Sequence, residues 1–452
     1  MYKHNKNVAK YGLMSYLCAL QTLKMYIMIN IILIVFIIGY LFITLEHKFD
    51  LNKSASALLT AFICWSLYAL LSPDIEHVIE HLNGHLHGIA EIVFFLLGAM
   101  TIVEMIAVHN GFELLTEKIT TKNKRTLLWI ICIITFFLSA ILDNLTTAIV
   151  MVSLLQKLLS DRQDRLIFSG LVVIAANAGG AWSPMGDVTT TMLWIGNQVT
   201  ASHLLLTTFL PSIVCLLIPL LLASRHVKGS FERPIIEPND ETTSLSKNES
   251  RWVLLCGLLC LINVPIFKTI THLPPYMGML GGLGILWVFT ELLHRHKEDK
   301  THLRITSVIT KIDVPSVMFF LGILLAVACL ESIGFLGKMA LFLEDTIHNK
   351  DMIVTFLGLL SAVVDNVPLT AAVQAMYDLQ TYPTDHKMWA MLAYAVGTGG
   401  SCLIIGSAAG VVVMGIENIS FGWYLRHISL WALLGYLGGM GVFWVLYHTI
   451  II

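Results

Sequence analysis

Two aspartates, Asp143 and Asp365, lie within apolar stretches of nearly the same sequence, SAILDNLTTAIVM and SAVVDNVPLTAAV. The residue that follows is an asparagine in both stretches, Asn144 and Asn366. Carboxylate, carbonyl and water oxygens are the ligands that small hard cations prefer. Because a bare charge inside a membrane costs about 2.5–3.5 kcal/mol, we expect each aspartate to hold either a proton or a metal ion.

A glycine-rich segment follows each aspartate motif at a similar distance, and these segments read NAGGAWSPMGD and GTGGSCLIIGS. Glycine and proline at this density interrupt helical hydrogen bonds and leave backbone carbonyls available as ligands. The first segment ends on Asp187 and the second on Ser407, so the two breaks differ chemically. The residues expected to break the helices are Gly179, Gly180, Pro184, Gly186, Gly399, Gly400 and Gly406.

Two further acids, Glu104 and Asp187, lie in apolar surroundings without a lysine or arginine beside them. A group that must carry either a proton or a cation exchanges one for the other. We expect sodium at Asp143, Asn144, Asp365 and Asn366. The full set of candidate ion- and proton-binding residues is Asp143, Asn144, Asp365, Asn366, Asp187, Glu104, Thr147, Asn177, Thr189, Thr190, Thr370 and Ser401.

Each of these residues also has a purely structural interpretation. Aspartate and asparagine are favoured at the N-cap of a helix, which would explain Asp143 and Asp365 without an ion. Serine would cap a helix as well without the cost of burying a charge. Glu104 could extend its carboxylate to the membrane surface, and Ser, Thr and Asn side chains often join neighbouring helices.

The composition indicates a membrane protein. Of 452 residues, 56% are hydrophobic and 13% are charged, whereas soluble proteins carry about 25% charged residues. Many apolar runs are long enough to cross a bilayer as a helix, which takes about 20 residues. The alternation typical of barrel strands is missing. The sequence therefore predicts an all-α polytopic membrane protein.

The order of apolar runs repeats in the two halves of the chain. We expect each half to contain five spanning helices, one of them broken, and a re-entrant helical hairpin with an aspartate at its tip. An odd number of crossings inverts the second half relative to the first. The predicted regions are an N-terminal extension at 1–24, a first inverted repeat at 25–224, a cytoplasmic linker at 225–250 and a second inverted repeat at 251–452.

The loops support this arrangement, because positively charged loops stay in the cytoplasm. The loops on one side carry 20 lysines and arginines, and those on the other side carry 3. The predicted cytoplasmic loops lie at 46–53, 113–125, 157–165, 225–251, 294–313 and 417–428. The predicted outer loops lie at 73–88, 198–203, 271–275, 336–351 and 381–387.

A histidine cluster falls in the first outer loop, IEHVIEHLNGHLHG, and comprises His77, His81, His85 and His87. We expect a solvated loop here. Because histidine titrates near neutral pH and binds metals, a metal site or a pH sensor is the alternative. The chain shows no phosphate loop, GxSxG or HExxH motif and no basic block typical of nucleic-acid binding. We expect no enzyme activity, no cofactor and no nucleic-acid partner.

The stretches AEIVFFLLGAMTIVEMI, SAILDNLTTAIVM and ANAGGAWSPMGDVTTTMLWIGNQV resemble the NhaD-type sodium:proton antiporters of the ion transporter superfamily. The resemblance extends from about Ile27 to the C-terminus, and residues 1–24 have no counterpart in it. It implies exchange of Na⁺ and usually Li⁺ for H⁺, an inverted-repeat fold in the inner cell membrane and a homodimer. The ion-handling residues that it implies are Glu104, Asp143, Asn144, Asn177, Asp187, Thr189, Thr190, Asp365, Asn366 and Ser401.

Two other functions compete with this interpretation. Related transporters carry citrate, other dicarboxylates or arsenite, and those proteins typically show Ser, Asn and Thr at the hairpin tips, where helix N-termini attract anions. An aspartate at each tip would repel an anion. A membrane scaffold or sensor without a transport cycle is the second alternative, and the small soluble content of the chain is evidence against it.

Overall fold

The computed structural model describes residues 25–43, 51–112, 114, 119, 121–231, 246–295 and 303–451. Apart from one isolated bridge between Asn123 and Ser230, their regular structure is helical. The first half contains α1 (Met25–Ile43), α2 (Lys53–Leu71), α3 (Ile75–Val108), α4 (Lys124–Ser139), α5 (Asn144–Leu158), α6 (Arg162–Gly180), α7 (Val188–Ile195) and α8 (Ala201–His226).

The second half begins with α9 (Lys247–Thr271), α10 (Pro275–His294) and the short α11 (Ile305–Val308), and a 3₁₀ turn, Ile309–Lys311, follows α11. The remaining helices are α12 (Val314–Ser332), α13 (Phe335–Ile347), α14 (Lys350–Leu360), α15 (Asn366–Met376), α16 (Lys387–Gly399), α17 (Ala408–Glu417), α18 (Phe421–His427) and α19 (Ser429–Leu446).

Eight helices in the described part of the chain are long and apolar enough to cross a membrane: α1, α2, α3, α8, α9, α10, α12 and α19. They correspond to the eight uninterrupted spans expected from the sequence. The two remaining expected spans are the broken ones, and each is divided here into two helices, α6 with α7 and α16 with α17. Glycines at the breaks explain why neither continues as one helix.

The aspartate motifs form helix–turn–helix pairs, as the sequence predicts. The turn between α4 and α5 contains Asp143, and the turn between α14 and α15 contains Asp365. Arm α4 packs on α6, and arm α14 packs in the same way on α16. The two halves of the chain therefore repeat one order of elements, a hairpin followed by a broken helix.

Packing groups the described residues into two compact units. The first unit contains the described residues up to Ala90 together with Val314–Phe342, and in it α2 packs against α12. The indole of Trp65 donates a hydrogen bond to Leu325 O across that contact, at 2.8 Å. The second unit contains the described residues of Glu91–Asp313 and Leu343–Ile452, including both hairpins and both broken helices.

Three predicted loops are wrong in part, because helices extend into them. Most of the predicted loop 73–88 is the start of α3, where the Asp74 carboxylate accepts a hydrogen bond from His77 N at 3.2 Å. Helix α13 occupies most of 336–351, and α18 lies within 417–428. The predicted loops are the segments between apolar runs, but a polar or amphipathic helix can extend beyond an apolar run.

The histidine cluster consequently lies on a helix. Helix α3 has 34 residues, a length of about 50 Å at 1.5 Å per residue, so its polar first turns extend beyond the apolar part of the helix. The rings of His77 and His81 contact each other there, with centroids 4.1 Å apart. His85 Nε2 lies 3.1 Å from the hydroxyl of Ser332 on α12, within the first unit.

Some of the predictions lie outside the described residues. The N-terminal extension at 1–24 is one, and most of the linker at 225–250 is another. The boundaries of the two repeats, 25–224 and 251–452, stay predictions.

Two glycines allow the broken helices to touch the hairpins. A Cβ atom at Gly179 would overlap the Phe136 carbonyl, and one at Gly399 would overlap the Gly358 carbonyl, so both positions require close backbone approach. We expect Gly399→Ala to lower the thermal denaturation temperature of the purified protein, because overpacking costs about 1–3 kcal/mol. Gly415→Ala on α17, where a Cβ would meet nothing within 4 Å, is the matched control and should denature as the wild type does.

Candidate functional site

Four helices of the second unit begin at the residues that the sequence singled out. The N-cap residues of α5, α7, α15 and α17 are Asp143, Asp187, Asp365 and Ser407. In each case the side chain accepts a hydrogen bond from a backbone N–H of the helix that follows. The hairpins and the broken helices therefore present equivalent ends, three with a carboxylate and one with a hydroxyl.

Asp143 has an unusual backbone conformation, with φ at +125°. Its carboxylate accepts hydrogen bonds from Thr146 N at 2.8 Å and from the Thr146 hydroxyl at 2.7 Å. A non-glycine residue at positive φ is strained, and strain of this kind collects at functional sites. Asp365, at the equivalent tip, has φ at −50° and accepts a hydrogen bond from Val367 N at 3.3 Å.

Asp187 is the most buried of the three aspartates, with 3% of its surface exposed. One carboxylate oxygen, Oδ1, accepts a hydrogen bond from Thr189 N at 3.3 Å. The other, Oδ2, has no hydrogen-bond partner among the described residues. The carboxylate lies within electrostatic range of Asp365 and Asp143. Like charges at such range repel, so this cluster favours a bound proton or cation.

Asn177 on α6 joins the two halves of the chain. Its amide nitrogen donates hydrogen bonds to the hydroxyls of Ser401, at 2.8 Å, and Ser407, at 2.9 Å. Its amide oxygen accepts a hydrogen bond from the Asn144 amide at 3.0 Å. The side chain is fully buried. Asn177, Asn144 and Ser401, three of the predicted site residues, therefore form one hydrogen-bonded network.

Several predicted site residues have buried oxygens without a hydrogen-bond partner in the described part of the chain. Asn366 is 3% exposed, and its side chain lies near Asp187. Among the described residues, the atoms Thr147 Oγ1, Thr189 Oγ1 and Asn366 Oδ1 lack a partner. An unpaired buried oxygen is costly and requires a functional explanation, so these three atoms are candidate ligands.

The other predicted site residues lie differently. The hydroxyls of Thr190 and Thr370 donate to the backbone carbonyls of Asp187 and Asn366, at 2.9 and 2.8 Å, and so support the site indirectly. Glu104 lies on α3, within electrostatic range of Lys311. The described contacts do not join Glu104 to the aspartates, and its role in ion binding stays a prediction.

Ion pairs join the ends of the same helices. Arg165, at the start of α6, pairs with Glu417 at the end of α17, with 3.2 Å between Nε and Oε2. Lys124 on α4 pairs with Asp164 on α6 at 2.6 Å, and Lys387 on α16 pairs with Asp351 on α14 at 2.6 Å. These partners could not be chosen from the sequence alone, because the residues of each pair lie far apart in it.

Within the described parts of the chain, no group of three or more His, Cys, Asp or Glu side chains is arranged to hold a metal ion. The cluster around Asp187 instead combines aspartates with amide and hydroxyl oxygens. Two residues here were not among the candidates, Ser407 and Gly397. Alignment of NAGGAWSPMGD with GTGGSCLIIGS identifies both, because it pairs them with Asp187 and Asn177.

Comparisons with known proteins agree with this architecture. A family model described as a citrate transporter matches residues 31–392. Sodium/proton antiporter 1 of Arabidopsis thaliana is 46% identical over 414 residues, 91% of this chain and 71% of the relative. The Na⁺/H⁺ antiporter NhaD of Alkalimonas amylolytica is 31% identical over 440 residues, 90% of this chain and 88% of the relative.

A solved structure has the same fold. The YdaH transporter of Alcanivorax borkumensis superimposes with a TM-score of 0.56 at 13% identity, over 88% of this chain and 98% of that one. The family model and the relatives together indicate a multi-pass secondary transporter and not an enzyme. The chain belongs to the family that the citrate transporter model describes, as an NhaD-type member of the ion transporter superfamily.

Proposed function

We propose that this protein exchanges Na⁺, and also Li⁺, for H⁺ by alternating access, with the cluster of Asp143, Asp187 and Asp365 binding either the metal ion or the proton. The observation that carries the proposal is the buried Asp187 carboxylate, whose Oδ2 has no hydrogen-bond partner in the described structure. The inner cell membrane and the homodimer that the resemblance implies belong to the same proposal.

The ionic environment of the cluster favours a cation. The described lysines and arginines form no ion pair with Asp143 or Asp187. A buried carboxylate without a counter-ion is tolerated when it takes up a proton or coordinates a metal ion. Because both ligands neutralise the same charge, binding of one favours release of the other, which is the basis of exchange.

The helix ends provide an argument against an anion substrate, although the matching family model is described as a citrate transporter. An anion would bind to free backbone N–H groups at helix N-termini. Here Asp143 accepts from Thr146 N, Asp187 from Thr189 N and Asp365 from Val367 N. The carboxylates both use these donors and repel a second negative charge, so the geometry supports a cation carrier.

Transport in everted membrane vesicles tests the proposal. After a proton gradient is established, addition of Na⁺ or Li⁺ is expected to collapse it in vesicles that contain the protein. Vesicles from cells with an empty vector are the control. Citrate- or arsenite-dependent transport with no response to sodium would refute the exchange of cations and favour the anion carrier.

The pH dependence of sodium binding follows from the shared site. Two ligands that exclude each other reduce each other's affinity reciprocally. We expect the half-saturating Na⁺ concentration to rise as the pH falls, in proportion to the proton concentration in the acidic range. Exchange rates measured against Na⁺ concentration at several pH values provide the check. A half-saturating concentration that does not change with pH would show that the proton and the sodium ion bind to different groups.

A further inference from the structure

The two broken helices have equivalent positions, which their contacts identify. Gly179 approaches the Phe136 carbonyl of α4, and Gly399 approaches the Gly358 carbonyl of α14, each at the matching point of its own half. The N-caps Asp187 and Ser407 follow these glycines at the same spacing. Counted from the same points, Asn177 on α6 is the equivalent of Gly397 on α16.

Asn177 occupies the position that faces Ser407. Its amide nitrogen, the donor, lies 2.9 Å from the Ser407 hydroxyl and 2.8 Å from the Ser401 hydroxyl, while its amide oxygen accepts from Asn144. The amide NH₂ group of Asn177 is therefore surrounded by oxygen atoms, which is also the environment that a bound cation requires. The amide is fully buried, and both its nitrogen and its oxygen form hydrogen bonds within the protein.

The equivalent position, which faces Asp187, contains only a glycine. A Cβ atom at Gly397 would lie 3.4 Å from Asp187 Oδ2 and 3.3 Å from the Cβ of Ala181. Ala181 is the equivalent of Ser401 by the same alignment. The carboxylate oxygen that lacks a hydrogen-bond partner therefore faces Gly397, and the Asn366 side chain lies near the same carboxylate.

We propose that each chain has a single cation site, formed by Asp187 and Asn366 beside Gly397, and that the Asn177 side chain fills the equivalent position in the other half. The duplication of the hairpin and the broken helix creates two such positions. The asparagine amide replaces the cation in one of them, and the glycine keeps the other open to the substrate. This inference rests on the proposed exchange of cations and specifies how many sodium ions one chain binds.

Equilibrium binding of radioactive sodium to the purified protein at alkaline pH tests the number of sites. We expect one Na⁺ per chain at saturation. Two Na⁺ per chain would overturn the single site while leaving cation exchange intact. No sodium binding, together with no sodium response in vesicles, would refute the proposed function, and the single site would fall with it.

Gly397→Ala tests the location of the site. The new methyl group would lie 3.4 Å from Asp187 Oδ2 and would cover that oxygen, and Ala181, whose Cβ would be 3.3 Å away, would have to shift by a few tenths of an ångström. We expect Na⁺ affinity to fall at least tenfold while the denaturation temperature stays near that of the wild type. Gly415→Ala, the control on α17, should bind sodium normally. Wild-type affinity in a folded Gly397→Ala variant would overturn the proposed location.

The double variant Asn177→Gly with Ser407→Asp tests the role of Asn177. It places at positions 177 and 407 the same pair of residues, a glycine and an aspartate, that Gly397 and Asp187 form in the proposed cation site. If Asn177 closes the second position, the folded double variant should bind two Na⁺ per chain, as measured by the same assay. A folded double variant that still binds one Na⁺ would overturn the claim that Asn177 takes the place of a cation.

Discussion

Replacement of Asp187 by serine is expected to abolish sodium-dependent proton exchange and to leave the fold intact. Serine caps the equivalent helix, where the Ser407 hydroxyl accepts a hydrogen bond from Gly410 N at 3.2 Å, so Asp187→Ser removes the charge but keeps a working N-cap. Loss of one partner of a buried charge pair costs about 3–5 kcal/mol, and about 1.4 kcal/mol is a factor of ten. Sodium affinity should therefore fall by roughly a hundredfold or more.

Asp161→Ser is the matched control for Asp187→Ser. Asp161 caps α6 by accepting a hydrogen bond from Asp164 N at 2.9 Å, and it is exposed. This variant makes the same chemical change at another helix start, and we expect it to exchange sodium for protons at the wild-type rate. Both variants should be assayed in everted vesicles at equal expression. Normal exchange by Asp187→Ser would show that Asp187 serves only as a helix cap.

The helical architecture was accessible from the sequence because membrane spans depend mainly on hydrophobicity. The uninterrupted spans α8 and α9, for example, are apolar over at least one membrane thickness, and no tertiary contact is needed to recognise them. The loop predictions were wrong where amphipathic or polar helices such as α13 lie outside the apolar runs. There the hydrophobicity of the segment does not distinguish a helix from a loop.

The candidate site was only partly accessible for a different reason. The chemistry of Asp143 and Asp187 was recognisable because a charge in an apolar run requires an explanation. The hydrogen-bond partners of Asn177 were not recognisable, since Ser401 and Ser407 lie more than 220 residues away in the sequence. A hydrogen bond that spans two repeats depends on how they pack. The sequence predicts Asn177 as a ligand, and that role stays a prediction; in the structure its amide joins the two halves of the chain.

The second large effect concerns Asp143, whose replacement by glycine is expected to give a more stable protein without exchange activity. Its φ of +125° is a strained conformation for aspartate and an ordinary one for glycine, and such strain costs about 1–3 kcal/mol. Exchanging an N-cap residue for glycine costs only a few tenths of a kcal/mol. The added backbone freedom of the unfolded chain costs about 0.4–1 kcal/mol more. Relief of strain should exceed these two costs together and raise the denaturation temperature, while removal of the carboxylate abolishes sodium-dependent proton exchange.

Asp365→Gly separates the two effects. Asp365 occupies the equivalent hairpin tip with an unstrained φ of −50°, so glycine there relieves no strain and adds backbone freedom to the unfolded chain, which destabilises the fold. We expect this variant to lose exchange activity as well but to denature at or below the wild-type temperature. Calorimetry of the two purified variants and vesicle transport measure both properties. If Asp143→Gly proved less stable than the wild type, the positive φ of Asp143 would not destabilise the protein as expected. If the variant still exchanged ions, Asp143 would not carry the cation or the proton.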